Sequence, residues 1–115
     1  MSKGLGKLQK CILEQLYKLR TGQVKMEPTT TNVYLNVEED YWGEVIHRNQ
    51  YKWGECWLVD YDEADKPELN RRRAAIGQAI ASLKRRELVG YYQTDNQLFI
   101  TDKGVETLKI KSLNT

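Results

Sequence analysis

Two triplets of cations frame one short stretch, NRRRAAIGQAIASLKRR at residues 70–86: Arg71, Arg72 and Arg73 open it, and Lys84, Arg85 and Arg86 close it. A guanidinium presents a planar fork of donors that matches a phosphate or the edge of a guanine, and an ammonium acts as a point charge on phosphate. At helical spacing Leu69, Ile76, Ala79, Ile80 and Leu83 share one face, while Arg71, Ala74, Gln78, Ser82 and Arg85 share the opposite one. That outer face is small or hydrogen-bonding between its charged ends, and the DNA major groove, about 12 Å wide, admits a helix of this kind. Arg71, Arg72 and Arg85 are therefore expected to grip phosphates, and Gln78 and Ser82 to read base edges. Arg73 and Lys84 lie nearer the core side, as phosphate clamps or as stems lying along apolar surface, and Arg86 is intermediate. Two β runs follow, Val89–Gln93 and Gln97–Thr101, joined by Thr94-Asp95-Asn96. Gln93, Thr94, Asn96 and Gln97 would form a polar tip able to lie along the adjacent minor groove.

Other chemistries find less support. The cluster DYDEAD at 60–65 gathers Asp60, Asp62, Glu63 and Asp65, but counting from Asp60 puts Asp65 where a calcium loop needs glycine. A solvated acidic loop is the simpler expectation. His47 is the single histidine, Cys11 and Cys56 form no CxxC pair, and a zinc site would need an unusual ligand set. The cysteines are expected as buried free thiols. No GxSxG, HExxH or phosphate-cradling glycine loop is present, so no enzymatic activity, cofactor or metal is expected.

These residues must be held by a small frame. A chain of 115 residues, 30% charged and 40% hydrophobic, suits one globular domain spanning 1–115. No apolar run approaches the roughly 20 residues of a membrane span, and the basic start MSKGLGKLQK lacks the apolar block of a signal peptide. A cytoplasmic protein without a membrane partner is expected. The net charge of +2 conceals a segregation: residues 1–37 carry +4, 38–68 carry −7 and 69–115 carry +5. Such a dipolar chain can attract a polyanion with one face only.

Along the chain, Leu5, Leu8, Ile12, Leu16 and Leu19 predict an amphipathic helix over 5–20, with Cys11, Leu13 and Tyr17 widening its stripe and Gly22 stopping it. Residues 21–32 read as a loop. The next stretch fits two patterns. Val33, Leu35 and Val37 alternate as in a strand, whereas Val33, Val37, Tyr41 and Val45 fit a helix, preferred here over 37–47 with Asn36 as its cap. Alternation of Tyr51, Trp53, Trp57, Val59 and Tyr61 predicts an extended segment. The basic helix starts at Asn70 or a turn earlier, with Asp65 as cap and Pro67 in its first turn. Thr101 is a candidate cap for a last helix.

AAIGQAIASLKRRELVGYY, followed by QLFITDKGVETL, resembles the second half of a winged helix-turn-helix domain of the MarR-like kind. The shared features are Leu83, the charged run Lys84-Arg85-Arg86-Glu87, Leu88-Val89, and then Leu98, Thr101 and Gly104 in a Leu-x-x-Thr-x-x-Gly pattern opening the next helix. The resemblance covers about 40 residues. It implies an α+β fold, a three-helix core with a β-hairpin wing, binding to double-stranded DNA and a role in transcriptional regulation. Two departures stand out. Glu87 replaces the glycine usual before Leu-Val, which implies a tighter or less left-handed turn. Residues 33–66 are an acidic, aromatic-rich insertion near the second helix, and the long dimerisation helices of the family are missing. That insertion holds Trp42, Trp53 and Trp57 and four of the seven tyrosines. The aromatics either fill the core or make a surface for a protein partner or a second copy of the chain. The alternative function is accordingly a protein-interaction module working through that segment.

Overall fold

The structure, a computed structural model, describes residues 5–22, 30–47, 49–53, 56–92 and 97–113. For 30–32, 49–53, 56–60, 92, 97 and 110–113 the backbone alone is described. It is an α+β arrangement, mostly helical, in the order α1 (Lys7–Arg20), α2 (Thr30–Val37), a π-helical turn (Glu38–Trp42), β1 (Asn49–Trp53), β2 (Cys56–Asp60), a 3-10 turn (Glu63–Asp65), α3 (Lys66–Arg85), β3 (Val89–Tyr92), β4 (Gln97–Ile100) and α4 (Asp102–Leu113). The strands form two separate antiparallel hairpins, β1–β2 and β3–β4.

The core lies where the helices meet the base of the second hairpin. Ile12, Leu13 and Leu16 of α1, Val33 and Val37 of α2, Ile76, Ile80 and Leu83 of α3, and Leu88, Leu98 and Ile100 around the hairpin are all buried in one cluster. Leu108 brings α4 onto it. The apolar spacing of α1 and α3 dictates this, because each helix has one stripe to remove from water. Gly22 ends α1 with φ +77, as its position in the sequence suggests.

Four expectations need correction. The helix expected over 37–47 starts earlier, at Thr30, and Asn36 lies within it rather than capping it. Val33 and Val37, four residues apart, are buried together, so the helical reading of this stretch holds over the strand reading. After Val37 the helix widens into the π turn and stops at Gly43, which has φ +84. The reason is Glu38: its carboxylate is buried and accepts the backbone N–H groups of Ile46 (2.8 Å) and His47 (3.0 Å), folding the chain back. Residues 30–32 are helical too, not loop; 23–29 lie outside the described residues.

The extended segment of 51–61 is instead two strands, paired antiparallel with Trp53 opposite Cys56 and Asn49 opposite Asp60. An alternating apolar pattern cannot distinguish one long strand from two short ones. The basic helix begins at Lys66, with Asp65 before it and Pro67 in its first turn, so Asn70 is inside it. Asp62 accepts from the Ala64 N–H at 2.9 Å and starts the 3-10 turn that leads in.

The fourth correction concerns Glu87, which is fully left-handed with φ +64. Its N–H bonds to the Lys84 carbonyl (3.0 Å) and the Leu88 N–H to the Leu83 carbonyl (2.9 Å), the paired bonds of a Schellman ending, with Leu83 and Leu88 buried together. A non-glycine residue in this geometry costs roughly 1–2 kcal/mol, outweighed here by the burial that the turn secures. Thr101 fixes the other side. Its hydroxyl donates to the Glu87 carbonyl (2.7 Å) and accepts from the Gly104 N–H (3.1 Å), capping α4. Gly104 has no room for a side chain, since a Cβ would come within 2.3 Å of the Leu88 carbonyl oxygen.

Candidate functional site

The 20-residue helix α3 buries Leu69, Arg72, Ile76, Ala79, Ile80 and Leu83. Its opposite face, Arg71, Ala74, Gly77, Gln78, Ala81 and Arg85, is exposed to solvent. The small, polar ridge expected from the spacing is therefore present along the helix. Gln78 stands at its middle, and Arg85 near its end. Ser82 is half-buried at the ridge's edge, where its hydroxyl accepts from the Gln9 side-chain amide of α1 at 3.4 Å. Ser82 thus also contacts α1.

The first cation triplet does not project as a unit, which corrects the expectation for Arg72. That residue is 5% exposed. Its guanidinium donates to the Glu68 carboxylate (3.1 Å) and the Glu44 carbonyl (3.1 Å), and lies 5.1 Å from the ring centre of Trp42. Four residues after Glu68, it falls on the inward face, where its charge is matched by a carboxylate and an aromatic face. It cannot touch a duplex. Arg71 points outward but is paired with the same Glu68. Burial works to raise the pKa of Glu68, yet its hydrogen bonds to Arg72 and Arg71 outweigh this and hold it below the usual carboxylate range.

Arg73 is half-buried, 3.4 Å from the Nε2 of His47. His47 is 1% exposed. Burial, and then the charge of Arg73, push its pKa down to about 4. At neutral pH the ring is uncharged and can accept from Arg73. Both groups keep an orphaned atom, the Nδ1 of His47 and the Nε of Arg73.

The second triplet is different. Lys84 and Arg85 are exposed, and the Lys84 ammonium stands 4.6 Å from the ring centre of Tyr91 on β3. Arg86 is half-buried at the turn. Gln93, Thr94 and Asn96, expected at the hairpin tip, lie outside the described residues, and Gln97 is described by its backbone, paired with Tyr92. Of the three tryptophans, Trp42 is half-buried against Arg72 and edge-on to Tyr41, at 4.8 Å and 79°. It is therefore engaged within the chain. Trp53 and Trp57 sit in β1 and β2. Tyr41, which the sequence did not single out as a site residue, is the exposed large hydrophobic side chain among the described residues, at 43%. Tyr34 and Tyr91 were not singled out in the sequence either. Both line a groove at the edge of α3, and nothing in their spacing marked them.

Among the described residues no three His, Cys, Asp or Glu side chains are grouped to hold a metal ion, and no helix is long and apolar enough to cross a membrane. Cys11 is a free thiol, pushed up to about 11 by burial first and then by Asp40 and Glu14, which leaves it protonated and unreactive. Cys56 lies outside the described side chains. No family model, no curated protein and no solved structure matches this chain.

Proposed function

We propose that this chain is a winged helix-turn-helix domain that binds double-stranded DNA with sequence preference and acts in transcriptional regulation. In this reading α1, α2 and α3 are the three-helix core, α3 enters the major groove, and β3–β4 is the wing. The MarR-like resemblance of residues 70–110 points the same way. The observation that carries the proposal is the outward face of α3. Ala74, Gly77, Gln78 and Ala81 leave a slim ridge without bulky apolar side chains, ending at the exposed Lys84 and Arg85 beside a hairpin. A duplex can close around such a ridge, with phosphates meeting the cations and base edges meeting Gln78.

The test is selection of bound duplexes from a random library, followed by titration of two variants. Arg85→Ala is expected to weaken binding to every sequence and to lower the log–log salt slope by about 0.9. Gln78→Ala is expected to change the preferred sequence, with a penalty of roughly 1–3 kcal/mol at one base position. If both variants bind as the parent does at low and moderate salt, α3 is not the reading helix.

A second reading is favoured by Tyr41. It is exposed beside the first turn of α1, and with Gln78 it lines a shallow groove. As an interaction module, the chain would take a protein partner there and through the acidic stretch 33–66. Tyr41→Ala would then abolish partner capture and leave duplex binding unaltered.

A further inference from the structure

At the edge of the outward ridge of α3 runs a groove lined by Tyr34 of α2, by Gly77, Ile80, Ala81, Lys84 and Arg85 of α3, and by Tyr91 of β3. Among the described residues, two cations and two phenols line it, and no carboxylate does. We propose that this groove seats one phosphodiester of the DNA backbone, with Lys84 and Arg85 supplying charge and the hydroxyls of Tyr34 and Tyr91 supplying neutral hydrogen bonds. The inference rests on the reading of α3 as the DNA-facing helix and adds Tyr34, Tyr91 and Lys84 to the contact set.

Three observations converge on it. First, placement: the groove is bounded by Gly77 and Ala81 at the edge of the ridge and takes in Ile80 and Lys84 on the flank of α3, and the flanks of a helix sunk in the major groove face the strand backbones. Second, charge: Lys84 and Arg85 stand exposed together at this end, whereas Arg71 and Arg72 are held by Glu68. Lys84 is fixed over the ring of Tyr91, so its ammonium belongs to the groove wall. Third, protonation: burial, and then the nearness of Tyr91, raise the pKa of Tyr34 above its ordinary value, with Arg73 working the other way. The phenol keeps its proton at neutral pH and remains a donor. A phosphodiester, with one negative charge and several acceptor oxygens, matches two cations with two hydroxyl donors better than a base does.

The experiment titrates the full chain against the duplex selected above, by fluorescence anisotropy between about 50 and 200 mM salt. Lys84→Gln is expected to lower the log–log slope by about 0.9, because one ion-releasing contact is lost. The double variant Tyr34→Phe with Tyr91→Phe keeps both rings and both packing contacts. It is expected to weaken binding roughly tenfold at every salt concentration with the slope unchanged, since a neutral donor to a charged acceptor releases no ions. Full affinity in the double Phe variant overturns the proposal. So does loss in Tyr91→Ala alone, with single-stranded DNA binding as tightly as duplex, because then the ring stacks a base. Replacing chloride by inorganic phosphate at equal ionic strength should leave the parent unchanged; a fall to the level of the Phe variant would assign the groove to the free ion instead. Should the parent bind no duplex at all, the DNA-binding reading falls together with this one, whereas unaltered Phe variants beside a binding parent remove the seat and leave that reading standing.

Discussion

The two ends of α3 carry the same charge in sequence and meet opposite fates. At its start Arg72 is turned into the body of the molecule, held by Glu68, the Glu44 carbonyl and the face of Trp42, while Arg71 shares Glu68 and Arg73 abuts His47. At its end Lys84 and Arg85 stay in water beside Tyr91. Helical phase decides part of this: Arg72 is in register with Leu69, Ile76, Ala79 and Leu83, which are buried. The neighbours decide the rest, because the π turn and the chain reversal after it bring Trp42 and Glu44 to one end of the helix and not to the other. A run of cations is therefore a statement about composition, and whether it makes a positive surface depends on where the acidic segment lands.

The largest effect should come from dividing the two ends by mutation. Arg72→Ala leaves Glu68 with one partner fewer and empties the space over Trp42, and it should cost about 3 kcal/mol of folding stability. Arg85→Ala, at an exposed site, should stay within about 0.5 kcal/mol of the parent. Urea unfolding at pH 7 measures both. Equal losses at the two positions would end the division into a structural triplet and a surface one.

Next in size is the pH dependence of the first end. His47 is held near pKa 4 in the folded chain, against about 6.5 unfolded. The unfolded state therefore binds the proton more readily. Stability is full above pH 6.5 and falls as pH drops from there toward 4. Integrated over that window, the fold should be about 2 kcal/mol weaker at pH 5 than at pH 8. Glu68, whose pKa is lowered, loses its share only further down, as pH falls through its folded value. His47→Gln should flatten the curve between pH 8 and 5, and a variant that retained the whole slope would show that another group carries it.

Much of this frame was legible in the sequence, for reasons that differ by element. The stripes of α1 and α3 and the cap at Thr101 depend on contacts a few residues apart, which periodicity and capping chemistry capture directly. The buried partners of Arg72 and Arg73 were not legible, because Glu44, Trp42 and His47 lie about 26 to 30 positions away and reach α3 only once the chain reverses at Gly43. The π turn was hidden for the same reason: Glu38 is buried and accepts from the backbone of residues 46 and 47. Gln78 and Arg85 fall where the outer-face spacing put them, whereas Ser82 bonds Gln9, 73 positions earlier. Local rules thus recovered the ridge, and the distant contacts determined which cations remain on it.

The smallest effect tests how the second end is aimed. The Schellman turn at Glu87 sets the direction in which β3 leaves α3, and hence where Tyr91 meets Lys84. Glu87 occupies a left-handed conformation, φ +64, that glycine adopts without steric cost. Its carboxylate lies 3.7 Å from the ammonium of Lys103, but both side chains are largely exposed, so this pair contributes little. Relief of the backbone should outweigh the extra freedom that glycine gives the unfolded chain, and Glu87→Gly should raise stability by about 0.5–1 kcal/mol. The turn keeps its two backbone bonds and the packing of Leu83 on Leu88, so the cationic end stays in place and DNA affinity should hold within about twofold. A loss of stability instead would mean that Glu87 acts through its side chain, and the aim of the second end would then depend on Lys103 as well as on the turn.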